Sequence, residues 1–393
     1  MVEQRGVEES VRTSLVHRAT RGPAPWWHSS TIFVPPQIMS ERSMNEVEDS
    51  CRLAVSIGFD AALLSPAVSL FTTTTDALRA LVDRGHAAGA RVILRLPDRV
   101  FEGLGDPELD FDARRAAVLV LVRGAVEAGA DGVDLHARAD GLHGSVETVR
   151  TARGRFSELV RLVEAEAEAA GEAPLIVTAA IEGADAGELR SHLEEEWFHH
   201  LRWDALRDVA FESAALEEAL VDSLDAHDRL GAVTAWAVPL PCAADAEGAA
   251  RFLHAVSLPG ALRAHGLFPI AEGGAGASQA QGDSAPESAA CSELTVMGRA
   301  LEIRASAKLA TGSLGIVEGL PWSREGVSVH LNGPVMVVLN SCAEPVAVPR
   351  TAALLVSSAP AETTDDGRTL VPPCTCAWFE APRVRPVAAQ FWD

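Results

Sequence analysis

Short apolar runs alternate with amphipathic segments along most of the chain. Strand-like runs lie at residues 31–34, 61–64, 91–96, 132–135, 175–180 and 233–238, and segments with helical periodicity, such as residues 112–128 and 214–230, separate them. Strands that alternate with helices of ~10–15 residues predict parallel β-α-β units. So many units within ~250 residues favour a closed (β/α)8 TIM-type barrel over an open, doubly wound sheet.

The regions that flank this alternation have a different character. Residues 1–25 are polar and are predicted to form a disordered tail, whereas residues 26–309 form the predicted barrel domain. Within it, the Gly/Ser/Ala-rich residues 271–290 are predicted to form a flexible loop. Residues 310–393 contain strand-like runs broken by turn residues, which predicts a C-terminal antiparallel β-domain.

Charge and composition narrow the classes of partner. The 393 residues carry a formal net charge of −22, which argues against nucleic acid and anionic membranes, because both bind basic surfaces. No uncharged apolar run is long enough for a membrane span, and the charged N-terminus lacks the apolar core of a signal peptide. We therefore expect a cytoplasmic protein with reduced cysteines.

Several segments resemble the motifs of one enzyme family, in the same order along the chain. Residues 57–66, Ile-Gly-Phe-Asp-Ala-Ala-Leu-Leu-Ser-Pro, are similar to LGVDAVWLSP, and residues 90–94, Ala-Arg-Val-Ile-Leu, to the end of GLRVIL. Residues 335–346 are similar to VLVVLNFGDEPV. These are motifs of the α-amylase family (glycoside hydrolase family 13), in its α-glucosidase and oligosaccharide-hydrolase branch. The resemblance implies a (β/α)8 barrel, a C-terminal β-domain and α-glucosides as ligands.

The positions that carry catalysis in that family hold other residues here. The resemblance places His136 at the position of the nucleophile, Ala179 at that of the acid/base and Cys242 at that of the third carboxylate. Asp134 stands where the family has an arginine. Retaining glycosidases need two carboxyl groups ~5–5.5 Å apart, and alanine neither donates nor accepts a proton. The apolar strand frames around these positions are nevertheless kept.

The family's inserted domain B is also missing, because only residues 101–110 separate the third barrel strand from the next helix. We therefore predict a catalytically inactive family member, a pseudoenzyme without cofactor or metal. It would act as an interaction, scaffold or regulatory subunit linked to α-glucan or trehalose metabolism. A protein partner or a second copy of the chain is expected to cover the uncovered C-terminal face of the barrel.

Two other functions stay open at this point. A glycosidase or transglycosylase would use a rewired pair, Asp134 and Glu182, and a sugar-binding protein would use the vestigial pocket. His136 fits a base, a nucleophile or a metal ligand as well as a barrel histidine with structural contacts. Cys242 fits either a nucleophile or a buried, inert thiol.

Residues 197–203, Trp-Phe-His-His-Leu-Arg-Trp, are the densest aromatic run. Since the chain has no tyrosine, Trp197, Phe198 and Trp203 are the candidates for sugar stacking or for an interaction surface at the barrel's C-terminal face. The alternative is that the run packs a helix and a loop against the end of the barrel.

Overall fold

The computed structural model describes residues 11–36, 41–72, 75–138, 145–169, 175–241, 245–266, 268 and 285–381. A short strand, β1 (Arg12–His17), precedes a closed barrel of eight parallel strands in sequential order. The barrel strands are β2 (Thr31–Val34), β3 (Ala61–Leu64), β4 (Arg91–Arg95), β5 (Gly132–Arg138), β6 (Ile176–Glu182), β7 (His200–Trp203), β8 (Thr234–Pro239) and β9 (Ala261–His265).

Helices surround the barrel: α1 (Glu41–Ile57), α2 (Val68–Thr72), α3 (Thr75–Ala87), α4 (Phe111–Ala128), α5 (Val146–Glu168), α6 (Ala186–Glu195), α7 (Ala205–Asp208), α8 (Ser213–Leu230), α9 (Ala246–Val256) and α10 (Ala285–Ser306). Their ends carry local signals. Asp110 caps α4 by accepting a hydrogen bond from the Ala113 backbone N–H, and α4 ends at Gly129 in the left-handed region. Asp185 and Glu188 form a reciprocal capping box at the start of α6. Such signals determine where each helix ends and the chain turns back into the barrel.

The remaining strands form two antiparallel sheets. They are β10 (Leu314–Glu318), β11 (Val327–Asn332), β12 (Val335–Asn340), β13 (Val346–Val348), β14 (Leu354–Ser357), β15 (Glu362–Thr363), β16 (Thr369–Val371) and β17 (Thr375–Glu380). One sheet has the order β1-β10-β11-β12-β17-β14, and the other has the order β13-β16-β15. The predicted (β/α)8 barrel with C-terminal antiparallel β-structure is therefore confirmed.

Two parts of the sequence-based assignment are wrong. Strand β1 lies inside the tail predicted to be disordered, because it pairs with β10 and adds an edge strand to the C-terminal sheet. Strand β7 lies inside the aromatic run and completes the barrel between β6 and β8. Of the predicted flexible loop, residues 271–284 lie outside the described residues, and residues 285–290 belong to α10.

The turn before β9 shows how α10 helps to close the barrel. The buried Arg304 of α10 donates hydrogen bonds to the carbonyl oxygens of Val256 and Leu258, at 2.8 and 2.6 Å. Gly260 follows with φ +99, and a Cβ there would collide with the Thr234 carbonyl, so only glycine fits. These contacts bring β9 alongside β8 and β2, which closes the ring.

Candidate functional site

The barrel interior changes character from one end to the other. Alternate residues of each strand face inward, and near the N-terminal ends they form an apolar cluster that includes Ile32, Leu63, Ile93 and Ile176. Further along the strands, the inward positions carry charge and polarity instead: Arg95, Asp134, Thr178, Arg202 and Arg263. The interior therefore has an apolar floor and a polar upper part at the C-terminal ends of the strands, where barrel enzymes place their chemistry.

Asp134 is the centre of this polar part and has no exposed surface. Its Oδ1 accepts hydrogen bonds from Thr178 Oγ1 at 2.6 Å and from Arg263 Nη2 at 2.8 Å. Its Oδ2 accepts from Arg95 Nε at 2.8 Å. Burial alone would raise the pKa of Asp134, but Arg263 and Arg95 outweigh it and hold the pKa well below its usual range. Asp134 is therefore an ionised carboxylate shared by two guanidinium groups.

The cations outnumber the carboxylates around this centre. Burial lowers the pKa of Arg263, while Asp134 raises it and Arg95 and Arg202 lower it further; a guanidinium nevertheless stays protonated at neutral pH. Arg202 is paired separately, because its Nη2 lies 2.7 Å from Oδ2 of Asp204. Three guanidinium groups thus share two carboxylates in the described part of the barrel.

His265 ends β9 beside these arginines. Burial lowers the pKa of His265 to about 2, and the charges of Arg263, Arg202 and Arg95 act in the same direction. The imidazole is therefore neutral. Its Nε2 is buried and has no hydrogen-bond partner among the described residues.

His136 lies nearer the mouth, between two carboxylates. Its Nδ1 is 3.0 Å from Asp98 Oδ2, and its Nε2 is 3.9 Å from Glu182 Oε2. The first contact is out of line for a hydrogen bond, so Nδ1 has no such partner among the described residues. The imidazole therefore lies next to both carboxylates.

The structure does not bring Asp134 and Glu182 together. Strands β5 and β6 pair in register with Asp134 opposite Thr178, whereas Glu182 lies opposite Arg138. Glu182 is thus four residues further along the strand, or about 13 Å at ~3.3 Å per residue. A retaining glycosidase pair needs its carboxyl groups about 5–5.5 Å apart. The spacing along the strand and the two arginines that bind Asp134 therefore argue against these two residues as a reacting pair.

The position assigned to the acid/base also needs correction. Ala179 packs in the cluster between the barrel and the helices, together with Leu135 and Ile181. Its side chain therefore faces away from the barrel interior. The residue beside His136 in the register is Ala180. The strand alternates with period two, so an alignment error of one residue moves a side chain to the opposite face.

Two further features complete the comparison with the expected site. Cys242 lies outside the described residues. Between β4 and α4, residues 96–110 hold one short 3-10 helix, Asp98–Val100, and no inserted domain. The described groups of histidine, cysteine, aspartate and glutamate do not converge in any set of three or more that suits a metal ion.

The aromatic run does not lie where we expected it. Trp197 and Phe198 precede β7 and therefore lie at the N-terminal end of the barrel, opposite the mouth. Trp197 is 57 % exposed and contacts the ring of His199, which in turn contacts Trp27, with centroid distances of 4.4 and 4.8 Å. Phe198 is buried in the main core.

Trp203 is only 3 % exposed and faces the helical layer. Its indole Nε1 donates a hydrogen bond to Ser223 of α8 at 2.6 Å, and its ring packs edge-on against His227. Trp203 is therefore a packing residue, and its proposed role in stacking or docking at the C-terminal face is wrong.

Sequence reasoning missed the arginine cluster. Arg202, Arg263 and His265 were not singled out, although Arg263 is a charged residue within a mostly apolar strand segment, Ala-Leu-Arg-Ala-His. Arginine is almost never fully buried unless it is paired, so a buried arginine needs an acidic partner. Strand alternation with Ala264 outward and Arg263 inward was the available signal.

In the described ranges, no helix combines the length and the apolar character that a bilayer crossing requires.

No protein-family model matches the chain, and no curated protein matches it significantly. Among solved structures, the fold is similar to that of an Anoxybacillus alpha-amylase, with a TM-score of 0.60 and 11% identity over 92% of this chain and 100% of that chain. A Thermus thermophilus protein gives a TM-score of 0.55 and 15% identity over 91% and 100%. The gamma-CGTase of alkalophilic Bacillus clarkii gives 0.52 and 9% over 91% and 71%. At these identities the likeness shows a shared fold.

Proposed function

We propose that this chain is a non-hydrolytic protein with an α-amylase-like fold. The observation that carries the proposal is the register of β5 and β6, in which His136 lies beside Ala180. If the likeness to amylases extends to the site, these adjacent strand ends are where a nucleophile and an acid/base would face the same sugar. An imidazole and a methyl group do not supply the two carboxyl groups that retention requires.

The carboxylates that remain do not replace them. Asp134 is neutralised by two arginines beneath the mouth. Asp98 lies 3.0 Å from Nδ1 of His136, and Glu182 lies 3.9 Å from Nε2 of the same ring. Both carboxylates are thus next to the imidazole.

The test is a turnover assay of the full chain with aryl α-glucosides, maltose, sucrose and trehalose. We expect no release above that of buffer. The variants Glu182→Gln and Asp98→Asn show whether any trace activity belongs to this chain, because the activity of a contaminating enzyme would be the same in both variants and in the wild type. Turnover that disappears in either variant would refute the proposal.

A matched pair of variants tests the assignment of strand faces. Ala180→Glu places a carboxyl beside His136, whereas Ala179→Glu places it in the apolar layer between barrel and helices. We expect Ala180→Glu with His136→Asp to fold and to remain without hydrolytic activity, because Asp134 still stands where the amylase family has an arginine. Ala179→Glu should be strongly destabilised, because an unpaired charge is buried.

A role as an interaction or scaffold subunit, linked to α-glucan or trehalose metabolism, is our second proposal. The interaction role is supported by Trp197, a large exposed aromatic side chain of the type enriched at interfaces. The relevant face is then the N-terminal end of the barrel. Multi-angle light scattering of the wild type and of Trp197→Ala is the direct test. If the partner is a second copy of the chain, the wild type should have a mass above that of the monomer, and Trp197→Ala should reduce that mass. A wild-type protein that is monomeric at every concentration would contradict self-association.

A further inference from the structure

The buried layer beneath the barrel mouth holds more guanidinium groups than carboxylates, in a chain whose net charge is −22. The three guanidinium groups of Arg95, Arg202 and Arg263 share two carboxylates, Asp134 and Asp204. Mutual repulsion follows from this arrangement, since each arginine lowers the pKa of His265 and two of them lower that of Arg263. A protein rarely concentrates buried cations without a compensating anion.

Several donors in this cluster are buried and unused. Arg95 Nη2, Arg263 Nε and His265 Nε2 have no hydrogen-bond partner among the described residues. Arg263 is fully buried, and only its Nη groups are engaged, with Asp134 and the Ala179 carbonyl. A buried, unpaired charged donor is destabilising, because it has lost its hydrogen bonds to water without gaining a partner. Unsatisfied donors of this kind in a native fold call for an acceptor.

An open cleft is lined by two of these residues, Arg95 and His265. Its volume is about 420 Å³, within the range of small-molecule sites. Arg95 and His265 line it, together with Arg99 from the short helix after β4 and Ser65 from the end of β3. Of the described cleft residues, Asp98 alone carries a carboxylate, and that carboxylate is 3.0 Å from His136.

We propose that this cleft binds the oxyanion group, phosphate or carboxylate, of a sugar-sized molecule, with Arg95, Arg99 and His265 as its polar contacts. Arginine presents a planar fork of donors that matches either group. The neutral His265 offers its Nε2 as a hydrogen-bonding group without adding to the charge. A bound oxyanion next to Arg95 would offset the repulsion among the three arginines. The proposal holds whether or not the chain hydrolyses glycosides.

Isothermal titration calorimetry of the full chain tests it with four probes: glucose 6-phosphate, glucuronate, inorganic phosphate and glucose. We expect saturable binding of at least one charged sugar, weakened by added salt, and no comparable binding of glucose. Tighter binding of glucose 6-phosphate identifies phosphate as the preferred group, and tighter binding of glucuronate identifies carboxylate.

Three variants locate the site. Arg95→Gln should weaken binding about ten- to hundredfold, the range expected for loss of a charged hydrogen bond. Because Arg95 also holds Asp134, the exposed Arg99→Gln provides a second variant that leaves the buried network intact. Arg91→Gln is the control, since Arg91 lies at the opposite end of the same strand and pairs with Asp131. Equal binding of glucose and the charged sugars, no binding of any anion at millimolar concentration, or wild-type affinity in both Arg95→Gln and Arg99→Gln would overturn the proposal.

Discussion

At the N-terminal end of the barrel, the inward side chains of Ile32, Leu63, Ile93 and Ile176 fill the interior with hydrocarbon. A few ångströms higher, along the same strands, the interior is filled by Asp134 and the guanidinium groups around it. Both layers are buried and both are backed by the same ring of helices. The two layers differ in how strongly each side chain depends on its neighbours.

Apolar packing is made of many small, interchangeable contacts, so loss of one methyl group costs little. The charged layer consists of a few strong contacts whose partners are left buried and unpaired if one is lost. We therefore expect the apolar floor to tolerate substitutions, and the charged layer to depend on each of its side chains being in place.

The largest effect is expected from acid, which acts on buried neutral histidines. Burial lowers the pKa of His200 to about 3, and those of His227 and His254 to about 4, from 6.5. The unfolded chain binds these protons below pH 6.5 and the folded chain does not, so the free energy of unfolding falls as pH drops from 6.5 to about 4. Thermal melts across this range should show a steep loss of Tm.

Asp60 supplies the opposing case for the same melts. Burial raises its pKa from 3.8 to about 6, so its contribution to stability is present below pH 3.8 and is lost as pH rises through 6. Asp60→Asn should therefore steepen the rise of stability with pH, and His254→Asn should flatten it. A Tm that is constant between pH 7 and pH 4 would contradict the histidine assignment.

The second prediction concerns the charged layer directly. Asp134→Ala leaves Arg263 and Arg95 without their shared carboxylate and should reduce the free energy of unfolding by about 3–5 kcal/mol. Urea denaturation measures the change. Asp131→Ala is the comparison variant, because Asp131 also pairs with an arginine, Arg91, but its carboxylate is partly exposed; Asp131 also accepts a hydrogen bond from the Val92 backbone N–H. A loss below about 1 kcal/mol for Asp134→Ala would show that water enters the layer and replaces the carboxylate.

The third prediction measures the tolerance of the apolar floor. Ile93→Val removes one methyl group and should cost about 0.5–1.5 kcal/mol, whereas Ile93→Ala should cost about 2–5 kcal/mol because it leaves a cavity. The graded series is measured by the same denaturation experiment. Equal losses for the two variants would mean that shape, rather than buried volume, controls this layer.

The smallest effect on stability is expected at Trp197, which is 57 % exposed. Trp197→Ala should change the free energy of unfolding by no more than about 0.5 kcal/mol. Trp203 is the buried tryptophan of the same run, and Trp203→Ala should reduce the free energy of unfolding by about 3–5 kcal/mol. If Trp197→Ala is as destabilising as Trp203→Ala, its ring is part of the core, and the interaction surface proposed at that end of the barrel has no support.

The sequence by itself determined the class of fold. Alternating apolar runs and amphipathic helices specify parallel β-α-β units, because the spacing of apolar residues in each segment shows which face of that strand or helix is buried. This spacing can be read without knowing which segments pack together. Strand β7 was not predicted from the sequence, because its four residues, His-Leu-Arg-Trp, contain only two outward apolar side chains among polar inward ones. Strand β1 was not predicted either, because it is stabilised by pairing with β10, some three hundred residues away along the chain.

The candidate site depended on tertiary structure. Asp134, Arg95 and Arg263 come from three different strands, and only the closed ring brings β9 close enough to β5 across the interior for Arg263 to reach Asp134. Tertiary structure also shows which of Ala179 and Ala180 faces the barrel interior, because it fixes the register of β6 with β5 and the packing of Ala179 against the helices. Local patterns determine which residues form a strand. Which charges meet inside a barrel is decided by the register and closure of strands that are distant in sequence.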